Sequence, residues 1–170
     1  MMIKNLGKHY LENSIHEFRK LKDLGDKSFM QIKDEDFFWS PDEESNSIAI
    51  IVRHLSGNMI SRWTDFLTTD GEKKNRKRDE EFERIFYTDK DDVISRWEKG
   101  WNRLFKTLES LTEEDLLKEV KIRKEPHTVV QAINRQLTHY AYHIGQIVYI
   151  SKHLESSNWK SLSIPRKKPR

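Results

Sequence analysis

The sequence predicts an all-α protein built as one bundle of long helices. Four separate stretches repeat apolar residues at the three-to-four spacing of an amphipathic helix. Apolar and charged residues each make up 35% of the chain, the balance expected when every helix turns a polar face to water. With 170 residues the chain has the length of one ordinary domain and can bury one sizeable core. Residues 1–170 are therefore read as a single domain with a basic tail over 156–170.

The first helix is expected from Ile3 to Lys22 or beyond, with Leu11, Ile15, Phe18 and Leu21 on one side. At about 100° of rotation per residue, His9 and His16 fall on the opposite side and read as exposed and inert. Phe37 to Ser47 contains Pro41 and many turn formers, and reads as a loop that closes on Asn46 or Ser47 as a helix cap. The second helix follows from Ile48 to Leu67, because Ile48, Val52, Leu55, Met59, Trp63 and Phe66 share one face.

From Thr68 to Asp89 the period breaks into a long charged loop between the second and third helices. Phe82, Ile85, Phe86 and Tyr87 near its end are expected to pack on the bundle; loops of this length in compact domains are usually functional or mobile. Val93, Trp97, Trp101, Leu104 and Leu108 mark a third helix over Lys90 to Leu111. Thr112 starts a short helical piece through Leu117, and the alternation over Glu119 to His127 suggests a small hairpin. Thr128 with Gln131 fits a capping box. The last helix runs from there to Leu154, and a tail with Trp159 follows.

Cysteine is absent, which removes disulfides, thiolate ligands and a cysteine nucleophile, so histidine and carboxylate must carry any metal chemistry. Met1 to Leu11 lacks the apolar stretch of a secretion signal, and no apolar run approaches the roughly 20 residues that cross a bilayer. The expected location is the cytoplasm, with no membrane partner. Net charge is +3, with basic clusters at Lys73, Lys74, Arg76, Lys77 and Arg78 and at Arg166, Lys167, Lys168 and Arg170. The first is followed at once by Asp79, Glu80, Glu81 and Glu83, which cancel much of its field. No nucleic-acid motif accompanies either cluster, so both read as solvated loop and tail and nucleic acid is not the expected partner.

The chemistry-bearing constellation is histidine. His139 and His143 stand four apart on the last helix, about 6 Å in rise and about 40° in rotation, from which both rings can reach one ion. Such a pair is weak evidence alone, because the spacing also arises by chance. His54, on the second helix beside Ile51, strengthens it: all three flank the buried seam, where two packed helices bring them together at the mouth of a groove. The plainer alternative for His54 is a core-edge histidine bonded to a backbone carbonyl. His153 lies about 15 Å beyond His143 along the axis and His127 precedes the helix; both read as surface or capping residues.

Three imidazoles on zinc or nickel leave coordination positions open for water or substrate. Tyr140 follows His139, so the helical His-Glu-x-x-His arrangement of zinc peptidases is absent. Asn58, Gln136, Tyr140 and Gln146, with Tyr142 close by in sequence, are the side chains that could orient a ligand, the plainer alternative for each being a packed or solvated side chain. No catalytic base can be named.

Four segments carry a resemblance: Ile51 to Asn58 (IVRHLSGN), Leu67 to Glu72 (LTTDGE), Arg78-Asp79, and Arg135 to Gln146 (RQLTHYAYHIGQ). They resemble the DinB/YfiT-like superfamily, most closely an uncharacterised bacterial subfamily of it, and the likeness covers nearly the whole chain. The resemblance implies a four-helix, up-down-down-up bundle with a histidine triad that falls on His54, His139 and His143, one zinc or nickel ion, and often a homodimer. Its better-understood relatives are transferases that use low-molecular-weight thiols such as mycothiol or bacillithiol. The lack of cysteine is compatible with that chemistry, since the sulfur would arrive with the cosubstrate.

Three function classes follow. The first is a metal-dependent enzyme on a small-molecule substrate, as a thiol S-transferase or as a hydrolase. The second is a non-catalytic, stress-associated binding module whose metal stabilises the bundle. Nucleic-acid binding through the basic clusters is the third, and predicts affinity that falls steeply with salt.

Overall fold

The computed structural model describes residues 5–83 and 89–165. Ile3, Ile85, Phe86, Tyr87 and the basic residues Arg166, Lys167, Lys168 and Arg170 lie outside them. Four helices dominate: α1 (Leu6–Phe29), α2 (Ile48–Trp63), α3 (Lys90–Ser110) and α4 (Val129–Glu155). Their starts are capped by short polar side chains, which satisfy backbone N–H groups that have no partner within the helix. Asn5 accepts from Lys8 N, Ser47 from Ile50 N and Asp89 from Asp92 N, and Thr128 with Gln131 forms the expected capping box.

The side-chain pairings fix the helix directions. α2 and α3 run parallel, since Ser56 donates to the Arg96 carbonyl and, further along both, Thr107 donates to the Trp63 carbonyl, each at 2.7 Å. α1 and α4 are also parallel: Tyr10 bonds to Asn134 near their starts, and Phe18 meets Tyr140 further on. α1 opposes α3 through Arg19–Glu109 and Asp26–Trp97, while α2 opposes α4 through His54–His143 and Trp63–Tyr140. The bundle is therefore up-down-down-up, as expected.

Each helix contributes one ring to the centre of the core. Phe18, Trp63, Trp101 and Tyr140 are all at most 1% exposed. Phe18 lies 5.8 to 6.5 Å from each of the other three rings, within the range of favourable tilted and edge-on contacts.

α1 continues beyond Lys22, as the sequence allows, whereas α2 departs from the sequence reading in its length and its burial. α1 extends to Phe29, where Phe29 packs on Phe37 and Trp97. α2 stops at Trp63 and not near Leu67, because Asp65 adopts a left-handed φ of 48° and its carbonyl accepts from both Thr68 and Thr69; Phe66 still packs on Trp63, but from the turn. α2 is also buried well beyond its apolar stripe, including Ser56, Ser61 and Arg62. Two short 3-10 turns, Glu35–Phe38 and Asp79–Phe82, lie against it.

A third 3-10 turn, Glu113–Asp115, occupies the segment opened by Thr112. The hairpin is present as β1 (Glu119–Ile122) paired antiparallel with β2 (Glu125–Thr128), Val120 opposite His127. Its two-residue turn places Arg123 and Lys124 at φ of 54° and 69° without glycine or asparagine. Asp70 compensates by accepting from both their N–H groups, at 2.9 and 2.7 Å. Gly71 N–H also donates to the Lys121 carbonyl at 2.7 Å, so the loop after α2 is tied to the hairpin. Among the described residues, no helix is long and apolar enough to cross a membrane.

Trp101 offers a direct test of the shared core. Its Nε1 has no hydrogen-bond partner, so its contribution is packing. Trp101→Ala should cost about 3–5 kcal/mol by urea denaturation, and Trp101→Phe clearly less; equal losses would show that the ring contacts do not hold the centre together.

Candidate metal centre

Antiparallel packing of α2 on α4 brings His54 against His139 and His143, with ring centroids 5.3, 5.0 and 4.9 Å apart for the three pairs. One ligand nitrogen from each ring lies within 4.8 Å of the others, and His54 Nε2 is 3.2 Å from His139 Nε2. Two imidazole nitrogens on a tetrahedral ion at 2.0–2.1 Å stand about 3.3 Å apart, so this spacing suits a shared cation. His54 and His143 are buried and His139 is half-buried. His9, His16 and His153 are exposed and outside the group, His153 stacking on Trp39, while half-buried His127 sits in β2.

The opposite edge of each ring meets an oxygen. His54 Nδ1 is 3.0 Å from Glu81 Oε2, His143 Nδ1 is 2.8 Å from Gln146 Oε1, and His139 Nδ1 is 3.4 Å from Gln136 Oε1. A carboxylate only accepts, so His54 carries a proton on Nδ1, and its Nε2 faces His139. Rings with protonated Nδ1 turn their Nε2 lone pairs inward, and a cation is what such a donor set fits.

Burial lowers His139 to about 3, with His143, His54, Arg76 and Arg62 pushing the same way. Burial also lowers His143 to about 4, the Gln146 hydrogen bond opposing it and His54 adding to it. Both are neutral at physiological pH, the form in which imidazole binds metal.

Glu81 is the residue the sequence reading missed. In sequence it reads as part of a solvated charge run with Asp79, Glu80 and Glu83, and Arg76 as part of the basic cluster before it. Both are instead packed beneath the triad, with side chains 8% and 5% exposed. Arg76 grips Glu81 with two hydrogen bonds of 2.7 Å and reaches Glu72 at 3.2 Å. Burial alone would raise the Glu81 carboxyl, but the bonds from His54 and Arg76 outweigh it and hold it below its ordinary value. A Cβ on Gly57 would collide with Glu81 Oε1 and stand 2.9 Å from its Cδ, so glycine admits the carboxylate to the helix surface. Phe82 then covers His54, its ring 4.9 Å away. The sequence signal was an acidic residue next to an aromatic in a charged loop, which no periodicity distinguishes from its neighbours.

Of the residues expected to orient a ligand, Gln136 and Gln146 stand at histidine nitrogens. Asn58 and Tyr140 pair with one another: the Tyr140 hydroxyl donates to Asn58 Oδ1 at 2.9 Å and accepts from Trp63 Nε1 at 3.1 Å. Tyr140 thus connects the site to the aromatic core, and burial pushes its hydroxyl above the ordinary phenol value. Exposed Tyr142 lies against His139 and His143. His54, His139, Asn58, Gln136 and Tyr142 line a cavity of about 510 Å³ that opens beside the triad.

Two predictions follow from the burial of these groups. Gly57→Ala should displace Glu81 and weaken zinc binding about 10–100-fold. The helix itself gains about 1 kcal/mol from alanine, so an unchanged zinc affinity would show that the Glu81 contact is idle. Because His139 and His143 titrate lower in the folded chain than their ordinary 6.5, the unfolded chain takes up protons first on acidification. Their contribution to stability is full above pH 6.5 and lost as pH falls toward 4 and 3. The melting temperature of metal-free protein should therefore fall more steeply across that window than that of His139→Gln; superimposable profiles would contradict the assignment.

Comparison with curated proteins and with solved structures gives no match. A protein-family model does match, over residues 5–168 and so through all four helices and the triad, and the chain belongs to that family, described as "Protein of unknown function (DUF1572)".

Proposed function

We propose that this chain is a divalent-metal-dependent enzyme of DinB/YfiT-like type, in which His54, His139 and His143 hold one zinc or nickel ion and a small-molecule substrate enters the adjoining cavity. The observation that carries this reading is the convergence of three ring nitrogens from two helices, each backed by an oxygen acceptor on its far side. An all-nitrogen set of three, with no fourth protein ligand among the described residues, is the pattern of reactive rather than closed structural sites. A bound ion would supply Lewis acidity, making a water or a thiol in the cavity easier to deprotonate.

The protein's own groups do the rest. Glu81 keeps the His54 proton on Nδ1 and stops the ring from turning, and Gln136 and Gln146 play the same part for His139 and His143. Phe82 shields the buried side of the site from water, which strengthens the electrostatic interactions inside it. Because the chain has no cysteine, any sulfur nucleophile must come with a cosubstrate, and a low-molecular-weight thiol of the bacillithiol type is the co-reactant this reading favours. Hydrolysis by an activated water is the alternative reaction at the same site. A cytoplasmic homodimer is the form in which we expect the protein to act.

Elemental analysis of purified wild type beside His54→Ala and His143→Ala tests the site. One equivalent of zinc or nickel is expected in the wild type and a small fraction of it in each variant. Equal metal content in all three would remove the basis of the proposal. Metal-dependent transfer of a thiol to an electrophile separates the transferase from the hydrolase. Loss of thermal stability on chelation with no turnover in either assay would assign the metal a purely structural part.

A further inference from the structure

Arg62, near the end of α2, is 3% exposed, yet its Nε and Nη1 have no hydrogen-bond partner. A buried guanidinium without a counter-charge is costly, and buried charges in folded proteins are normally paired. Burial lowers its pKa; attraction from Tyr140 and Glu72 opposes this only in part, and the weaker repulsion from Arg135 and Arg76 adds to the lowering.

Its acidic neighbours are already engaged: Glu81 is bound by Arg76, Glu72 is shared between Arg76 and Arg123, and Asp70, whose charge attracts Arg62, accepts from three backbone N–H groups. The guanidinium is nonetheless held in place. A Cβ on Gly71 would collide with Arg62 Nη1 and lie 2.9 Å from its Cδ, so the loop backbone passes directly over the side chain. Gly71 itself is fixed by its bond to Lys121 and by Ser61, which donates to its carbonyl at 3.1 Å.

Arg62 lines the same cavity as His54 and His139, together with Arg76, Arg78, Arg123 and Arg135. Five guanidinium groups and not one carboxylate face this space among the described residues. Arg135 is exposed and stands one helical turn before His139, on the same side of α4. Arg76, Arg78 and Arg123 are ion-paired with Glu81, Glu72 and Asp79, which leaves Arg62 and Arg135 as the unpaired guanidinium groups among the described lining residues. Low-dielectric walls concentrate their field, and the planar fork of arginine matches the paired oxygens of a carboxylate or phosphate.

We propose that Arg62, with Arg135, is an anion-recognition site that holds a carboxylate or phosphate group of the substrate beside the histidine triad. The anion supplies the counter-charge that Arg62 lacks in the free protein, and it anchors the molecule at one end while its reactive end faces the imidazoles. The word substrate rests on the metal-enzyme reading above; the anion site does not, since it needs no ion.

The test uses the full chain stripped of metal, titrated calorimetrically with inorganic phosphate and separately with succinate, with ionic strength held constant by sodium chloride. Saturable binding of at least one is expected, and the tighter of the two names the group recognised. Arg62→Met and Arg135→Gln should each weaken it about tenfold or more, while His143→Ala should lose metal and keep the anion. Arg62→Met is expected to melt at or above wild type without ligand, because it removes an uncompensated buried charge; were it not to fold, the exposed Arg135→Gln carries the comparison. Absence of saturable binding by both anions at millimolar concentration, or equal binding in the arginine variants, overturns the proposal. Zinc binding without anion binding would sink this inference alone, and anion binding without zinc binding would sink the metal reading alone.

Discussion

The site depends on one buried ion pair. Arg76 holds Glu81 by two parallel hydrogen bonds, and Glu81 holds the Nδ1 proton of His54. Without the arginine, a carboxylate in that position would be an unpaired buried charge, and removing one partner of such a pair typically costs about 3–5 kcal/mol. With it, the carboxylate stays ionised and fixes the His54 tautomer. Through the 3-10 turn Asp79–Phe82, the relay makes the segment after α2 a support for a ligand on α2.

The fold supplies what the relay needs. Parallel packing of α2 on α3 demands a long connection to bring the chain back, and that connection is the segment carrying Asp70, Gly71, Arg76 and Glu81. Asp70 ties it to the hairpin turn and Gly71 to β1, so one stretch of chain braces His54 from below and walls Arg62 from the side. α4 meets α2 from the opposite direction and delivers His139 and His143 one turn apart. The aromatic layer of Phe18, Trp63, Trp101 and Tyr140 sets the distance between them, and Tyr140 is bonded to both Trp63 and Asn58 of α2.

Helices were legible in the sequence because burial against one seam imposes a period, and the three histidines were legible because they sit at fixed offsets from that period. The hairpin showed through the alternation of Val120 and Ile122 with charged residues, even though Arg123-Lys124 is a poor turn signal whose strain is met by Asp70, far away in sequence. Glu81 and Arg76 were illegible for a physical reason: in a loop, burial depends on contacts with other elements, and a charged run reads the same whether solvated or packed. Arg62 was hidden likewise, since the coverage of its side of α2 comes from a segment whose path has no local signature. Gly57 and Gly71 carry no special backbone angle; what requires glycine at each is the side chain packed against it.

The central claim is that all three imidazoles carry their proton on Nδ1 and turn Nε2 toward a common ion. Long-range ¹⁵N–¹H NMR of the ring nitrogens, recorded on zinc-loaded protein with ¹⁵N-labelled histidine, reads this directly. Three of the seven histidines should show a protonated Nδ1 and a metal-shifted Nε2, with the His54 signals altered in Glu81→Gln. Zinc on Nδ1, or metal-shifted resonances from fewer than three rings, would contradict the account.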